Sequence, residues 1–472
     1  IGGALQPLFD VGSVALFVHG IQWIGYTLHF PDWLTIFLAQ GLGGGINTVL
    51  PLVPQIGMMY LFLSFLEDSG YMARAAFVMD RLMQALGLPG KSFVPLIVGF
   101  GCNVPSVMGA RTLDAPRERL MTIMMAPFMS CGARLAIFAV FAAAFFGQNG
   151  ALAVFSLYML GIVMAVLTGL MLKYTIMRGE ATPFVMELPV YHVPHVKSLI
   201  IQTWQRLKGF VLRAGKVIII VSIFLSAFNS FSLSGKIVDN INDSALASVS
   251  RVITPVFKPI GVHEDNWQAT VGLFTGAMAK EVVVGTLNTL YTAENIQDEE
   301  FNPAEFNLGE ELFSAVDETW QSLKDTFSLS VLMNPIEASK GDGEMGTGAM
   351  GVMDQKFGSA AAAYSYLIFV LLYVPCISVM GAIARESSRG WMGFSILWGL
   401  NIAYSLATLF YQVASYSQHP TYSLVCILAV ILFNIVVIGL LRRARSRVNI
   451  ELLATRKSVS SCCAASTTGD CH

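Results

Sequence analysis

Two thiols stand beside prolines in otherwise apolar sequence: Cys102 in "GFGCNVPSVMGA" (99–110) and Cys376 in "YVPCISVMGA" (373–382). A proline inside a helix removes one backbone hydrogen bond and crowds the carbonyl four residues back. Pro105 and Pro375 therefore free carbonyl oxygens beside a thiol. Gly109 and Gly381 follow shortly and are expected to loosen the same segments. Unwound backbone at membrane depth is tolerated where protein encloses it. Carbonyls with a thiolate, an amide and a thioether make a cation site, and the sulfur donors favour late first-row ions such as Fe(II), Zn(II) or Cu(I) over Mg or Ca. The candidate ligands are Cys102, Asn103, Ser106, Met108, Cys376, Ser378 and Met380, with Cys131 of "MSCGAR" as a further thiol. A lone buried cysteine is by default a small hydrophobe, and Cys426 is read that way.

The two segments are related. Ser106-Val107-Met108-Gly109-Ala110 recurs letter for letter as Ser378-Val379-Met380-Gly381-Ala382. Upstream, Tyr71-Met72-Ala73-Arg74 resembles Ala277-Met278-Ala279-Lys280. The second pair of blocks is wider apart than the first by about the length of the acidic stretch 292–359. Internal repeats with interruptions at matching places point to the midplane site of a membrane transporter. Small residues of this kind also serve plain helix packing in membranes.

The elements that must hold these residues are membrane helices. The chain has 472 residues, 54% of them hydrophobic and only 13% charged, with a mean hydropathy of +0.62. Soluble domains carry about 25% charged residues. About 20 apolar residues of helix cross a bilayer. Such runs fall near 11–29, 46–66, 93–110, 120–146, 151–172, 211–231, 267–290, 361–382, 391–413 and 421–441. Runs 93–110, 267–290 and 361–382 are interrupted. The expected fold is all-α, a polytopic membrane protein of about 10–11 transmembrane or re-entrant helices with two gate repeats. Lys and Arg mark cytoplasmic loops. By that rule 173–216 and the basic tail 442–472 lie inside, and 292–359, with fourteen acids against three lysines, lies outside. Alternation then makes 267–290 a re-entrant hairpin and asks for one further span before residue 1.

Charged residues in apolar runs are costly and usually functional. Lys280-Glu281 interrupts 267–290 and is expected to face a cavity. Glu67-Asp68 reads as an interface end, and Arg134 follows Cys131. Within 292–359, 310–327 has helical spacing, and Met345, Met350 and Met353 are read as incidental. "LPGKS" (88–92) ends like a phosphate-binding loop, but the required first glycine is Ala85, so nucleotide binding is rejected. In the tail, Cys462, Cys463, Cys471 and His472 form a weak metal-binding cluster matching no finger spacing.

"PLIVGFGCNVPSVMGAR" and "YVPCISVMGA" resemble the gate segments of the ferrous iron transport protein B (FeoB) family. The Cys-rich ending resembles its enterobacterial members, and the likeness runs the length of the chain. The resemblance implies a permease for Fe(II), the transported ion, in the bacterial inner membrane. It also implies a GTP-binding domain, using GTP and Mg, ahead of the present sequence, so no catalytic residue is expected here. The gate cysteines of the family correspond to Cys102 and Cys376, and Cys131 is a further family-like position. Implied partners are the lipid bilayer, small cytosolic Feo accessory proteins and a homo-oligomer, with no nucleic acid. The expected division is 1–45 as an N-terminal span and linker, 46–146 as the first gate repeat, and 147–266 as connecting spans. A second repeat at 267–413 carries the insertion, 414–441 is the last span, and 442–472 is the tail. The competing reading is a nucleoside or other solute transporter of the gate-repeat type. Such a site needs aromatic and carboxylate or amide groups rather than paired thiols. A membrane-embedded enzyme ranks last, because the sequence has no HExxH or GxSxG.

Overall fold

A computed structural model describes residues 6–464 except 30, 32–34, 36, 178–190, 192, 217–218, 221, 225–243, 279–281, 293–307, 327–346 and 418. The described residues form helices joined by turns, with no strand among them. In the first half these are α1 (Leu8–Thr27), α2 (Leu52–Asp68), α3 (Tyr71–Leu86), α4 (Phe93–Gly101), α5 (Asn103–Gly109), α6 (Pro116–Met125), α7 (Gly132–Phe141), α8 (Gly150–Thr175) and α9 (Val196–Phe210). In the second half they are α10 (Trp267–Met278), α11 (Val282–Thr292), α12 (Leu308–Thr326), α13 (Thr347–Phe357), α14 (Ala360–Leu372), α15 (Ile377–Glu386), α16 (Arg389–Ala414) and α17 (Pro420–Ala464).

Six stretches among the described residues are long and apolar enough to cross a membrane: Leu8–Thr27, Pro116–Phe146, Gly150–Thr175, Ala360–Glu386, Arg389–Ala414 and Pro420–Arg443. A seventh arises if α3 and Gly90–Gly101, bent by 101° to each other, count as one broken span. The shortfall against ten sequence runs has local causes. Run 46–66 becomes the 17-residue α2 after a short turn of helix, 93–110 splits into two short helices, 211–231 lies partly outside the described residues, and 267–290 is divided around residues 279–281, also outside them.

Local signals set the ends. Ser359 Oγ accepts from the Ala362 N–H (3.2 Å) and Ser388 Oγ from the Trp391 N–H (3.3 Å), capping α14 and α16. Pro116 opens α6, where a missing N–H costs nothing. Gly87, at φ +79°, closes α3 with the Leu88 N–H donating to the Met83 carbonyl. "LPGKS" is a structural turn: the Gly90 N–H donates to Asp80 Oδ1 (2.8 Å), and a Cβ at Gly90 would lie 2.3 Å from the Ala76 carbonyl oxygen.

The core gathers α6, α7 and α14, with Met121, Ile123, Phe138, Tyr366 and Leu371 almost wholly buried. Around it pack α8 and α16. The apolar part of α17 stays on the outside and rests on α16 through Asn434, which donates to Ser405 Oγ (2.8 Å) and accepts from Asn401 (3.2 Å). Such amide contacts hold helices together where lipid gives no hydrophobic drive. The expected surface helix in the acidic insertion is present as α12, which packs against the start of the chain's first helix.

Candidate functional site

The interruption in 93–110 falls at Cys102. Its backbone is extended (φ −153°, ψ 132°), with α4 ending before it and α5 starting after it. The interruption in 361–382 spans Tyr373 to Cys376, again extended, and α15 starts at the next residue. Pro105 lies in the first turn of α5, where it is tolerated, and the break precedes it. Both thiols are half-buried and pack on the main core. Tight turns consume part of the freed backbone: the Cys376 carbonyl accepts from the Val379 and Met380 N–H groups (2.9 and 3.0 Å).

The two recurring pentapeptides meet, since α5 packs directly against α15. Between them and α2, α4 and α9 lies a cavity of about 610 Å³. Of the sequence candidates, Pro105, Met108, Gly109, Ser378 and Gly381 line it, while Cys102, Asn103, Ser106, Cys376, Met380 and Cys131 do not. The thiols stand behind the wall, at the breaks. Tyr60, which lines the cavity, lies within electrostatic reach of Cys102.

A third break went unnoticed in the sequence. Run 120–146 is interrupted at Met129–Cys131, where the backbone is extended before α7. This break meets the first one. Asn103 Nδ2 donates to the Met129 carbonyl (3.3 Å), and Arg134 Nη1 donates to the same oxygen (3.0 Å) and to the Pro127 carbonyl (3.1 Å). Arg134 is wholly buried, and its Nε and Nη2 have no hydrogen-bond partner. Asn103 Oδ1 is a buried acceptor without a partner. A buried polar atom left unpaired costs about 1–3 kcal/mol, so an amide oxygen held open at a break beside a thiol is fitted to accept a cation.

Charge closes one end of the cavity. Glu386, only 7% exposed, takes Arg111 on both carboxylate oxygens (Nε to Oε2 at 2.6 Å) and Arg119 Nη2 on Oε2 (2.8 Å). Arg111 follows the first pentapeptide and Glu386 the second, so the ion pair ties the two repeats together. The sequence held both residues but gave no reason to pair groups 275 positions apart. Glu67, read as an interface end, pairs with Arg206 (2.8 Å), and both line the cavity.

Other expectations fare differently. Gly381 lies inside α15, which continues through it, so it is no helix break; a Cβ there meets nothing within 4 Å. Gly109 ends α5, with Pro95 at an ordinary 3.7 Å from a Cβ. The tight glycines are others: a Cβ at Gly161 of α8 would lie 2.8 Å from the Phe128 carbonyl, and one at Gly399 of α16 lies 3.2 Å from the Leu372 carbonyl. Lys280 and Glu281 lie outside the described residues, as do Cys471 and His472. Cys462 and Cys463 fall on the last turn of α17. Among the described residues, no three His, Cys, Asp or Glu come together as a metal site.

Residues 49–145 and 211–389, more than half of the chain, match the model of a family described as Gate: Nucleoside recognition. Residues 154–206 match the model of the Ferrous iron transport protein B C terminus. The chain is 99% identical over all 472 residues to a protein of Shigella flexneri named Fe(2+) transporter FeoB, and 94% identical over the same length to one so named in Salmonella typhimurium. A protein of that name in Legionella pneumophila is 48% identical over 453 residues, 94% of this chain. The chain spans 61%, 61% and 59% of the length of these three relatives. No solved structure matches it.

Proposed function

The chain belongs to the FeoB family, in the part that carries the Gate model, and from that premise we propose that it forms the pathway by which Fe(II) crosses the bacterial inner membrane. One observation carries the reading. The two recurring segments, broken at Cys102 and Cys376, pack on each other around one cavity. Sulfur and amide oxygen suit Fe(II). In this reading Met108 and Ser378 line the approach, and Cys102, Asn103, Cys376 and Cys131 hold the ion at the breaks. Arg134 offsets thiolate charge, so that the ion is not trapped. Lys280-Glu281 belongs to the same pathway. The acidic insertion faces outward, and the basic tail, with Cys462, Cys463, Cys471 and His472, faces the cytoplasm. GTP and Mg act in the part of the longer relatives that this chain does not span, and small cytosolic proteins and further copies of the chain associate with the whole.

Uptake of labelled Fe(II), Zn(II) and uridine into vesicles tests the reading. Cys102→Ser with Cys376→Ser should lower Fe(II) uptake by about tenfold or more at unchanged expression, with Cys426→Ser silent. Normal uptake by the double variant overturns the thiol assignment. A second reading has its own support: the Gate description names nucleosides, and the cavity is lined by Tyr60, Phe210, Gln205 and Glu67 while the thiols stay outside it. Saturable uridine uptake, insensitive to both thiol changes, would replace the iron reading with this one. Impermeant labelling of single cysteines placed at Ser339 and Ser458 in whole cells checks orientation; only the Ser339 site should react.

A further inference from the structure

The cavity between the repeats has a counterpart at the other end of α16. Its charged end lies by Glu386, three residues before α16 begins. The 26 residues of α16 span about 39 Å. At their far end a separate pocket of about 370 Å³ opens between the loop before α10 and the α16–α17 turn. His263, Glu264, Asp265 and His419 stand exposed around it, and Ser423 lies at its base. Two imidazoles and two carboxylates are the donor set of a first-row divalent ion.

The base of this pocket adds an independent sign. Ser423 is wholly buried, and its hydroxyl has no hydrogen-bond partner. The loop is also fixed in place. Gly261, at φ +96°, turns directly over the Tyr411 ring, and a Cβ there would lie 2.5 Å from that ring. The Asn266 N–H bonds the His263 carbonyl (3.0 Å), and Tyr291 anchors Asn266 from below (2.8 Å).

We infer that this pocket captures a divalent transition-metal ion with its water shell, as a vestibule separate from the thiol-bearing breaks. Size and spacing set the water shell. No three of the acidic, imidazole or thiol groups among the described residues converge closely enough to strip the ion. Six waters need about 60–90 Å³ of space for their centres, at roughly 10–15 Å³ each, and the pocket offers about 370 Å³. The donors therefore bond the ion's waters. Lys258 now holds Glu264 (2.9 Å). Both groups are exposed, and such pairs are weak, so a divalent ion displaces the lysine readily. Capture here does not depend on what the rest of the chain transports.

Mn(II) is the probe, titrated into the chain in lipid nanodiscs and followed by the loss of its free electron-spin resonance signal. Cys102→Ser/Cys376→Ser is the background, which removes competition from the thiols. His263→Ala/His419→Ala and Asp265→Asn should each weaken Mn(II) binding by about tenfold. All these side chains are exposed, so folding is not at stake, and an unchanged elution volume checks it. The bound Mn(II), its free signal broadened away by slow tumbling, should still show six coordinated waters by water-proton hyperfine coupling. Unchanged affinity in both variants overturns the vestibule, and so does binding that strips the water shell. In vesicles, the same substitutions made in the chain with both thiols intact should raise the KM for Fe(II) and leave kcat alone. Mn(II) binding that fails in the variants, beside a parent chain that moves no iron, would uphold the vestibule while overturning the transport reading.

Discussion

The two copies of Ser-Val-Met-Gly-Ala are identical in letters and unequal in surroundings. Ser106 is wholly buried and donates to the Pro95 carbonyl at 2.6 Å, while Ser378 is half-buried and lines the cavity. Met108 lines the cavity and Met380 does not. A repeat thus fixes what a segment can do locally, namely start a short helix after an extended thiol residue. Its partners are fixed by what packs against it. In the first copy α4 folds back on α5, so the serine is spent on a carbonyl. In the second, the preceding α14 leads away and the serine is left for the cavity.

The strongest way to break the comparison is to cut the tie between the copies. Arg111→Ala with Arg119→Ala would leave the Glu386 carboxylate buried and unpaired. An uncompensated buried charge of this kind costs about 3–5 kcal/mol. Thermal unfolding in detergent should show a large loss of stability, and Glu386→Gln in the same background should restore most of it. No loss in the double variant would mean that the copies are not held together by this carboxylate.

Next come the two long spans that follow the breaks. Each presses a glycine onto the last helical carbonyl before a break, Gly161 on Phe128 and Gly399 on Leu372, with the first contact tighter. Overpacking costs about 1–3 kcal/mol. Gly161→Ala should lie at the upper end of that range and Gly399→Ala at the lower, because a Cβ 2.8 Å from a backbone oxygen demands a larger backbone shift than one at 3.2 Å, where a few tenths of an ångström suffice. Equal losses would show the two halves to be better matched than their geometry.

These pairs also mark what was legible in the sequence. The breaks at Cys102 and Pro375–Cys376 were readable, because proline and glycine act on the backbone locally. The break at Met129–Cys131 was not, although Pro127, Ser130 and Gly132 surround it. Its run is so apolar that continuity was the natural reading, and the Arg134 guanidinium that satisfies the exposed carbonyls arrives from the following helix. Glu386 stayed hidden for a different reason. Its neighbours Arg385 and Arg389 offer nearer partners in the sequence, and only packing brings it to Arg111. The glycines of the repeat neither break a helix at position 381 nor mark a close approach. Close approach occurs instead where a later span crosses the carbonyls that precede a break, at Gly161 and Gly399.

The serines give a smaller test. Ser106→Ala would leave the Pro95 carbonyl without its partner, at a cost of about 1–3 kcal/mol. Ser378→Ala should stay within about 0.5 kcal/mol, as expected for a position without such a bond. Uptake should respond the other way, since only Ser378 meets the cavity. A matched response of both serines in stability and in uptake would restore symmetry to the repeat.

The smallest effect on stability is expected at the two glycines of the repeat. A Cβ at Gly381 enters open cavity space, and one at Gly109 makes an ordinary contact with Pro95. Gly→Ala at position 381 gains helix propensity of up to about 1 kcal/mol, because the residue lies inside α15. Gly381→Ala should therefore be neutral or slightly stabilising in thermal unfolding, and Gly109→Ala close to neutral. Transport separates the two further. Gly381→Leu extends a side chain into the 610 Å³ cavity and should slow uptake without destabilising the protein. Gly109→Leu turns against Pro95 and should cost stability first. If Gly381→Leu transports at the parental rate, the cavity is not on the path of the transported species, and the path must run behind its wall, past the breaks at Cys102 and Met129–Cys131 that Asn103 joins.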